Sequence, residues 1–505
     1  MVIHLGNVYS TVVSCTPEEY LAFRECLTIP SPNYWFSPQF KSGVWDGMFR
    51  FYKGKSFQTG LLHIIQEHIP NVVVRQAKYP LIKDIDFCVL KDKKMTGKYS
   101  YQADSVLAML NCRRGIIANA TGSGKTVIAA AFLQILKKPT LFLTHQVELA
   151  RQTKEAFEKS MSLPIGLFGA GIDDRKFVTV GMVPTLYSRV KNKDREVLSW
   201  LASREVLIVD ECHLASSDSF LKVMRECKNA EYRLGLSATA LDRDNLDNLK
   251  VKAQLGVVVY EIQNQELEEL NVLSKPLITM VKIGQSEVEK LMAALDTEIA
   301  SVYIQVKSCG KSKKEKAKKT RLTNQINKLK KQKYAQGSVA GIVDNLSRNS
   351  AVVALTKKLL AENKKTLLLV KRIKHGEILQ EMLKQEGIVT AFCSGRSSDL
   401  ERDTALEAIK SGKSSILILS KIGQVGLDVP ILDAGIYCGG GKSSIEVVQS
   451  LGRYLRNPEG VDNTIQFYDF YDEDSGYLLD HSQKRKGIYE RKKFSVECCR
   501  LEKCL

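Results

Sequence analysis

The densest concentration of reactive groups in the sequence is Asn119-Ala120-Thr121-Gly122-Ser123-Gly124-Lys125-Thr126. Two closely spaced glycines let backbone N–H groups curl around an anion. A lysine follows to meet phosphate charge, and a hydroxyl beside it can ligate Mg²⁺. The loop follows an apolar run, Ile116-Ile117-Ala118, and opens a helical run, Val127–Leu136. A helix starting there adds positive potential at the same point. Thr121, Gly122, Ser123, Gly124, Lys125 and Thr126 are therefore the expected triphosphate cradle, with Lys125 reaching the β- and γ-phosphates. The first glycine usual in such loops is replaced by Asn119.

Nucleotide hydrolysis also needs a metal-holding carboxylate and a group that activates water. The apolar run Glu205–Val209 ends in Asp210-Glu211-Cys212-His213. Asp210 is expected to hold Mg²⁺ through its water shell, and Glu211 to orient and deprotonate the water. His213 and the small hydroxylated Ser237 and Thr239, which end the next apolar run, are candidates for coupling. Far downstream lies Gln449-Ser450-Leu451-Gly452-Arg453-Tyr454-Leu455-Arg456. On a helix, spacings of four and three put Gln449, Arg453 and Arg456 on one face. Two guanidinium groups so placed suit a γ-phosphate presented by another domain, where such arginines contribute roughly 10³–10⁵ in rate.

The elements that must position these groups are short apolar runs alternating with helical segments. They fall at Gly115–Ala118, Thr140–Thr144, Phe177–Gly181, Val206–Val209 and Arg233–Ser237. They recur at Thr366–Val370, Val389–Cys393, Ser415–Ser420, Ala434–Tyr437 and Thr464–Phe470. The alternation predicts parallel sheets wrapped by helices, hence two α/β domains in tandem, over about 96–275 and 341–475. Residues 1–95 are mixed, with turn signals at Pro30, Pro32 and Pro38. Residues 276–340 read as a polar, helix-prone linker whose basic run includes Lys313, Lys314, Lys318 and Lys319, relieved only by Glu315. Residues 476–505 read as a basic tail.

Lys and Arg number 74 against 56 Asp and Glu, a net charge of +18, which favours polyanionic partners. A run this basic is either a solvated face or a grip on a phosphate backbone; the rest of the chain favours the grip. The 12 cysteines form no C-x-x-C pair, and free thiols are expected. No apolar run has the ~20 residues of a membrane-spanning helix, and no secretory signal opens the chain. A cytoplasmic protein is expected.

Together these residues resemble the motif set of the superfamily 2 helicases. Lys125 and Thr126 match motif I, Asp210–His213 motif II in its D-E-C-H form, Ser237–Thr239 motif III and Gln449–Arg456 motif VI. Tyr101-Gln102 resembles the adenine-reading glutamine. Leu143–Gln146 with Glu148-Leu149-Ala150 and Gln152 resembles motif Ia, and Gly426-Leu427-Asp428-Val429-Pro430 resembles motif V. Ser394-Gly395-Arg396 lies where such proteins contact the tracked strand. The resemblance implies two RecA-like domains with ATP and Mg²⁺ between them. Tyr101, Gln102, Gly426 and Asp428 would then contact nucleotide, and Gln146 and Arg396 nucleic acid.

A narrower resemblance is to the phage helicases of the UvsW type. It rests on the motor motifs and on Ser37-Pro38-Gln39-Phe40-Lys41-Ser42-Gly43-Val44-Trp45-Asp46-Gly47 with Arg50, followed by Thr59-Gly60-Leu61. It implies a small α+β DNA-binding domain at the amino terminus, with Lys41, Trp45 and Arg50 among its contacts. It also implies branched or forked DNA as partner, in Holliday junction migration, fork regression and D-loop dissociation. A monomer is compatible with that role, with recombination or replication proteins as candidate partners. An RNA helicase, a non-hydrolysing ATP-binding module and the translocating subunit of a restriction complex remain as alternatives.

Overall fold

Parallel strands cannot be joined by tight turns, so each needs a crossover helix, and the helices cover both sheet faces. The computed structural model describes residues 1–76, 88–241, 245–284, 286–310, 312–420, 432–441, 464–473 and 476–505. The chain forms two units, Met1–Val272 and Leu273–Leu505.

The first unit begins with strands β1 (Val2–Leu5), β2 (Tyr9–Ser14), β3 (Thr28–Pro30), β4 (Met48–Arg50), β5 (Tyr52–Lys53), β6 (Ser56–Gln58) and β7 (Val73–Gln76). Five form a sheet in the order β5-β6-β2-β1-β7, and β3 pairs with β4. The helix Pro17–Cys26 starts at a capping box: Thr16 accepts from the Glu19 N–H, and Glu19 returns the bond. A hydroxyl at the N-cap with Pro one position later dictates that start. The core of this domain is not its own. Leu246 and Ala253, on the helix Asn245–Leu255 of the following domain, pack among Ile3, Val12, Phe23, Phe57, Leu61 and Ile65. Gly60 lets the two backbones meet: a Cβ there would stand 2.0 Å from the Lys252 carbonyl oxygen. Leu90 and Met95, expected in the amino-terminal domain, lie in the core of the next one.

That next domain is an eight-stranded sheet of β8 (Arg114–Asn119), β9 (Thr140–Thr144), β10 (Ile165–Gly169), β11 (Ile172–Asp174), β12 (Val178–Met182), β13 (Val206–Asp210), β14 (Tyr232–Leu236) and β15 (Val258–Ile262). Its order is β11-β10-β12-β9-β13-β14-β8-β15. All pairings are parallel except β10 with β11. The six inner strands are buried almost end to end, with apolar clusters on both faces, while the edge strands β11 and β15 are partly exposed.

The second unit is a seven-stranded sheet of β16 (Lys275–Ile283), β17 (Thr366–Val370), β18 (Thr390–Cys393), β19 (Ile416–Ser420), β20 (Ala434–Tyr437), β21 (Thr464–Asp472) and β22 (Ser495–Arg500). Its order is β18-β19-β17-β20-β21-β16-β22, and the ladders are parallel. Both units are therefore RecA-like α/β folds, as expected. Two expected boundaries are corrected. The linker of 276–340 contains β16, which pairs with β21 along its whole length. The tail of 476–505 forms the helix Gly476–Arg491 and β22, which pairs with β16. Alternating burial along β16, with lysines at 275 and 282, disguises a sheet strand as polar chain.

The basic segment is one arm of a helical hairpin, Ser286–Lys307 against Lys313–Ser338. Ile299, Val302, Leu322, Ile326 and Leu329 close it. Its lone acid Glu315 is spent on a capping box with Ser312. Lys314, Lys318 and Lys319 are exposed. One buried guanidinium in this unit is fully engaged. Arg485 donates to Asp469 at 2.8 Å, to the Gly441 carbonyl at 2.8 Å and to the Phe470 carbonyl at 2.6 Å. Tyr489 donates to the same carboxylate at 2.9 Å. The expectation of free thiols is corrected at one place, since Cys499 and Cys504 form a disulfide. No described helix is long and apolar enough to cross a membrane.

Candidate active site

In open α/β sheets, ligands gather outside the carboxyl ends of the strands. β13, β14 and β8 are neighbours in parallel register, with Asp210 opposite Leu236 and Leu236 opposite Ile117. The loop after β8, the acids ending β13 and Ser237 after β14 therefore share one edge.

The phosphate loop is bent by Gly122 (φ +88°) and Gly124 (φ +84°), values that only glycine adopts freely. The helix Lys125–Leu136 starts from Gly124. Lys125 Nζ turns back onto the carbonyls of Asn119 and Ala120 at 3.1 and 3.3 Å. Ser123 Oγ is buried without a partner. Tyr101 and Gln102, buried on the helix Ser100–Cys112, both donate to the Ser123 carbonyl, at 2.8 and 2.9 Å. The pair braces the loop from behind. Asn119, where a glycine is usual, is fully buried and donates to Ser105 Oγ at 2.9 Å. The departure thus fastens the end of β8 to the helix behind it. Residue spacing alone did not disclose Ser105.

Asp210 and Glu211 stand side by side with Lys125 nearby. Burial, helped by the Glu211 charge and opposed by Lys125, pushes the Asp210 carboxyl up to about 7. Burial also works to raise Glu211, but the His213 hydrogen bond and the charge of Lys125 outweigh it and hold Glu211 below its ordinary value. The two neighbouring carboxylates are thus driven in opposite directions, and a cation beside them would relieve their crowding. Glu211 sits in the left-handed region at φ +47°, a conformation that costs a non-glycine residue on the order of 1–3 kcal/mol and recurs at functional sites.

His213 Nδ1 lies 3.2 Å from Glu211 Oε2 and 3.1 Å from Ser237 Oγ. Ser237 Oγ in turn accepts from the Thr239 N–H at 3.2 Å. The structure thus joins the acid turn to the next strand end, and Thr239 Oγ1 remains buried without a partner. His145, after β9, was assigned no role from sequence. Burial disfavours its charged form, and its Nδ1 is buried without a partner. A histidine closing an apolar run at this sheet edge was the available signal. The glycine curl, the lysine and the two acids fit a triphosphate with Mg²⁺. Half-buried Thr126 stands at the helix start.

The expected nucleic-acid residues are more scattered. Gln146 begins the helix Val147–Met161, and Arg396 is exposed in the loop after β18. The Trp45 indole donates to the Met48 carbonyl at 3.0 Å, inside its own loop. Arg50 is paired with Asp46, and Lys41 stands 5.9 Å from the Phe36 ring centroid. Gly426, Asp428, Gln449, Arg453 and Arg456 lie outside the described residues.

Family comparison agrees with this arrangement. The family described as "Type III restriction enzyme, res subunit" matches residues 96–242, and "Helicase conserved C-terminal domain" matches residues 350–458. The chain belongs to the superfamily 2 helicases, enzymes that hydrolyse ATP. It is similar to the DNA 3'-5' translocase XPB2 of Sulfurisphaera tokodaii, 26% identical over 403 residues that cover 75% of this chain and 82% of that one. It is similar to the ATP-dependent DNA helicase uvsW of Enterobacteria phage T4, 23% identical over 98% of each chain. The helicase domain of Pyrococcus furiosus Hef shares its fold, with a TM-score of 0.50 at 16% identity over 77% of this chain and 98% of that one.

Proposed function

We propose that the chain is an ATP-driven DNA motor that remodels branched or forked DNA. The observation that carries the reading is the bridge of His213 between Glu211 and Ser237, because it ties a water-activating acid to the end of the neighbouring strand. A binding module that does not hydrolyse ATP has no use for that link. The choice of DNA and of branches is supported by the likeness to the T4 DNA helicase uvsW. That likeness runs through the amino-terminal domain as well as the motor.

In this reading, backbone N–H groups of Gly122–Thr126 hold the triphosphate of the substrate, and Lys125 leaves its loop carbonyls to meet it. Thr126 and Asp210 would hold Mg²⁺, which would supply neutralising charge at the phosphates when bound. Glu211 takes the proton of the attacking water, and His213 keeps its carboxylate aimed. Arg453 and Arg456 supply positive charge and Gln449 a hydrogen-bonding amide at the γ-phosphate, while Gly426 and Asp428 add nucleotide contacts. Gln146, Arg396, Lys41, Trp45, Arg50 and the lysines 313, 314, 318 and 319 contact nucleic acid. Backbone contact sets affinity, which therefore falls steeply with salt.

The deciding experiment measures ATP turnover and strand separation on a Holliday junction, a fork, a linear duplex and RNA. Junction and fork are expected to stimulate turnover most. Equal or stronger stimulation by RNA would overturn the assignment of DNA, and none by any nucleic acid would overturn the motor.

A further inference from the structure

A cavity of about 370 Å³ lies along the seam between the amino-terminal domain and the first helicase domain. That volume falls within the range of small-ligand sites, roughly 300–1,000 Å³. Its lining is unusual in kind. Five of the side chains are aromatic, four are cationic and none is acidic. Tyr9, Phe49 and Tyr52 form one wall, from β2, β4 and β5. Lys53 stands beside them, and Arg225 and Lys250 face them from helices Asp218–Glu226 and Asn245–Leu255.

The wall is built before any ligand arrives. The Phe49 and Phe51 rings meet at 4.8 Å, Phe23 and Tyr52 at 5.5 Å, and Arg24 Nε donates to the Tyr52 hydroxyl at 3.0 Å. Tyr9 leaves about half of its surface exposed, at 49%. Arg50 is held by Asp46 and Lys250 by Asp247. Lys53 and Arg225 form no ion pair among the described residues, and Arg225 Nε is buried with no acceptor. An incompletely filled apolar seam has no reason to collect like charges. Two of the four cations carry no ion pair among the described residues, and a phosphate placed between them would gain from both. Aromatic faces set among cations are the recognition chemistry of unpaired nucleic acid: bases stack on the rings and the backbone meets the charges.

We infer that this seam is a second nucleic-acid site, taking one or two unpaired nucleotides of a strand arm by stacking on Tyr9 and Tyr52, with the phosphate met by Arg225 and Lys53. The inference rests on the proposed nucleic-acid motor and adds a place for a strand that the motor itself does not hold.

The test measures equilibrium binding of a fork with unpaired arms and of a blunt duplex of the same sequence. Tyr9→Ala is expected to weaken fork binding about tenfold, the scale of one stacked base. Tyr9→Phe, which keeps the ring, stays near the unaltered protein. Arg225→Gln weakens fork binding and lowers the salt slope by about one, the signature of one lost phosphate contact. Blunt-duplex binding stays within about twofold in all three. Unchanged fork binding, or equal losses on fork and duplex, would overturn the site. Free ATP displacing the fork from a Lys125→Ala protein would overturn it too, by assigning the seam to a mononucleotide. ATP turnover of the unaltered protein separates the two levels. If no nucleic acid stimulates it, the motor fails; if DNA stimulates it while the variants bind as before, only the seam site fails.

Discussion

The carboxyl edge of the first sheet and the Asp469–Arg485 pair of the second unit treat charge in opposite ways. At the edge, Asp210 and Glu211 are crowded together, Asp210 is pushed up to about 7, and Ser123 Oγ, Thr239 Oγ1 and His145 Nδ1 are buried without partners. In the second unit, Asp469 receives Arg485 and Tyr489, and the rest of that guanidinium is taken up by backbone carbonyls. Buried polar groups are normally satisfied. At the edge the unmet groups lie around two crowded carboxylates, where a bound triphosphate and cation would engage them, whereas the Asp469–Arg485 pair is satisfied by the chain itself.

The comparison can be broken at its extremes. Glu211→Gln removes the base but keeps its shape, so turnover should fall about 10²–10⁴-fold with ATP binding retained. Phosphate release and nucleotide binding measured side by side check this; turnover near that of the unaltered protein removes Glu211 from its role. Arg485→Met should act on stability instead. It strands Asp469 in the interior and should cost about 3–5 kcal/mol, read as denaturant unfolding, while ATP binding by the first unit persists. Adding Asp469→Leu should recover most of that loss, because an apolar pair carries no stranded charge.

The exposed lysines of the hairpin are unmet charge of a third kind, already solvated. Replacing Lys314, Lys318 and Lys319 with Gln should lower the slope of log affinity against log salt by up to about three. An unchanged slope returns that face to plain solvation. The smallest effect is expected at the satisfied bond behind the phosphate loop. Ser105→Ala leaves the Asn119 amide with a buried unmet donor and should cost about 1–3 kcal/mol in thermal unfolding, with turnover little altered.

Much of this was legible in residue order. Strands Thr140–Thr144, Thr366–Val370 and Ala434–Tyr437 run between the expected residues. The loop before Lys125 has the strand and helix that its glycines call for. Local signals carried these features: a continuous apolar run, a glycine pair, a helix start. What stayed hidden depends on distant partners. β16 and β22 look like polar chain because each has a half-covered face, and only pairing across the sequence makes them strands. Leu246 and Ala253 look like ordinary helix residues, although they complete the amino-terminal core. His145 was legible only as a member of the motif Ia stretch after a strand, since its closeness to Glu211 depends on another strand.

The position of β16 bears on how the molecule is made. Its neighbours in the sheet are β21 and β22, so the first strand of the second unit must wait with both edges open until the chain has been made as far as Asp472, and with one edge open until Arg500. Met1–Val272 has no such debt to later sequence. The nucleotide-handling half can therefore mature during synthesis, while β16 spends that interval as an open-edged strand exposed to mispairing.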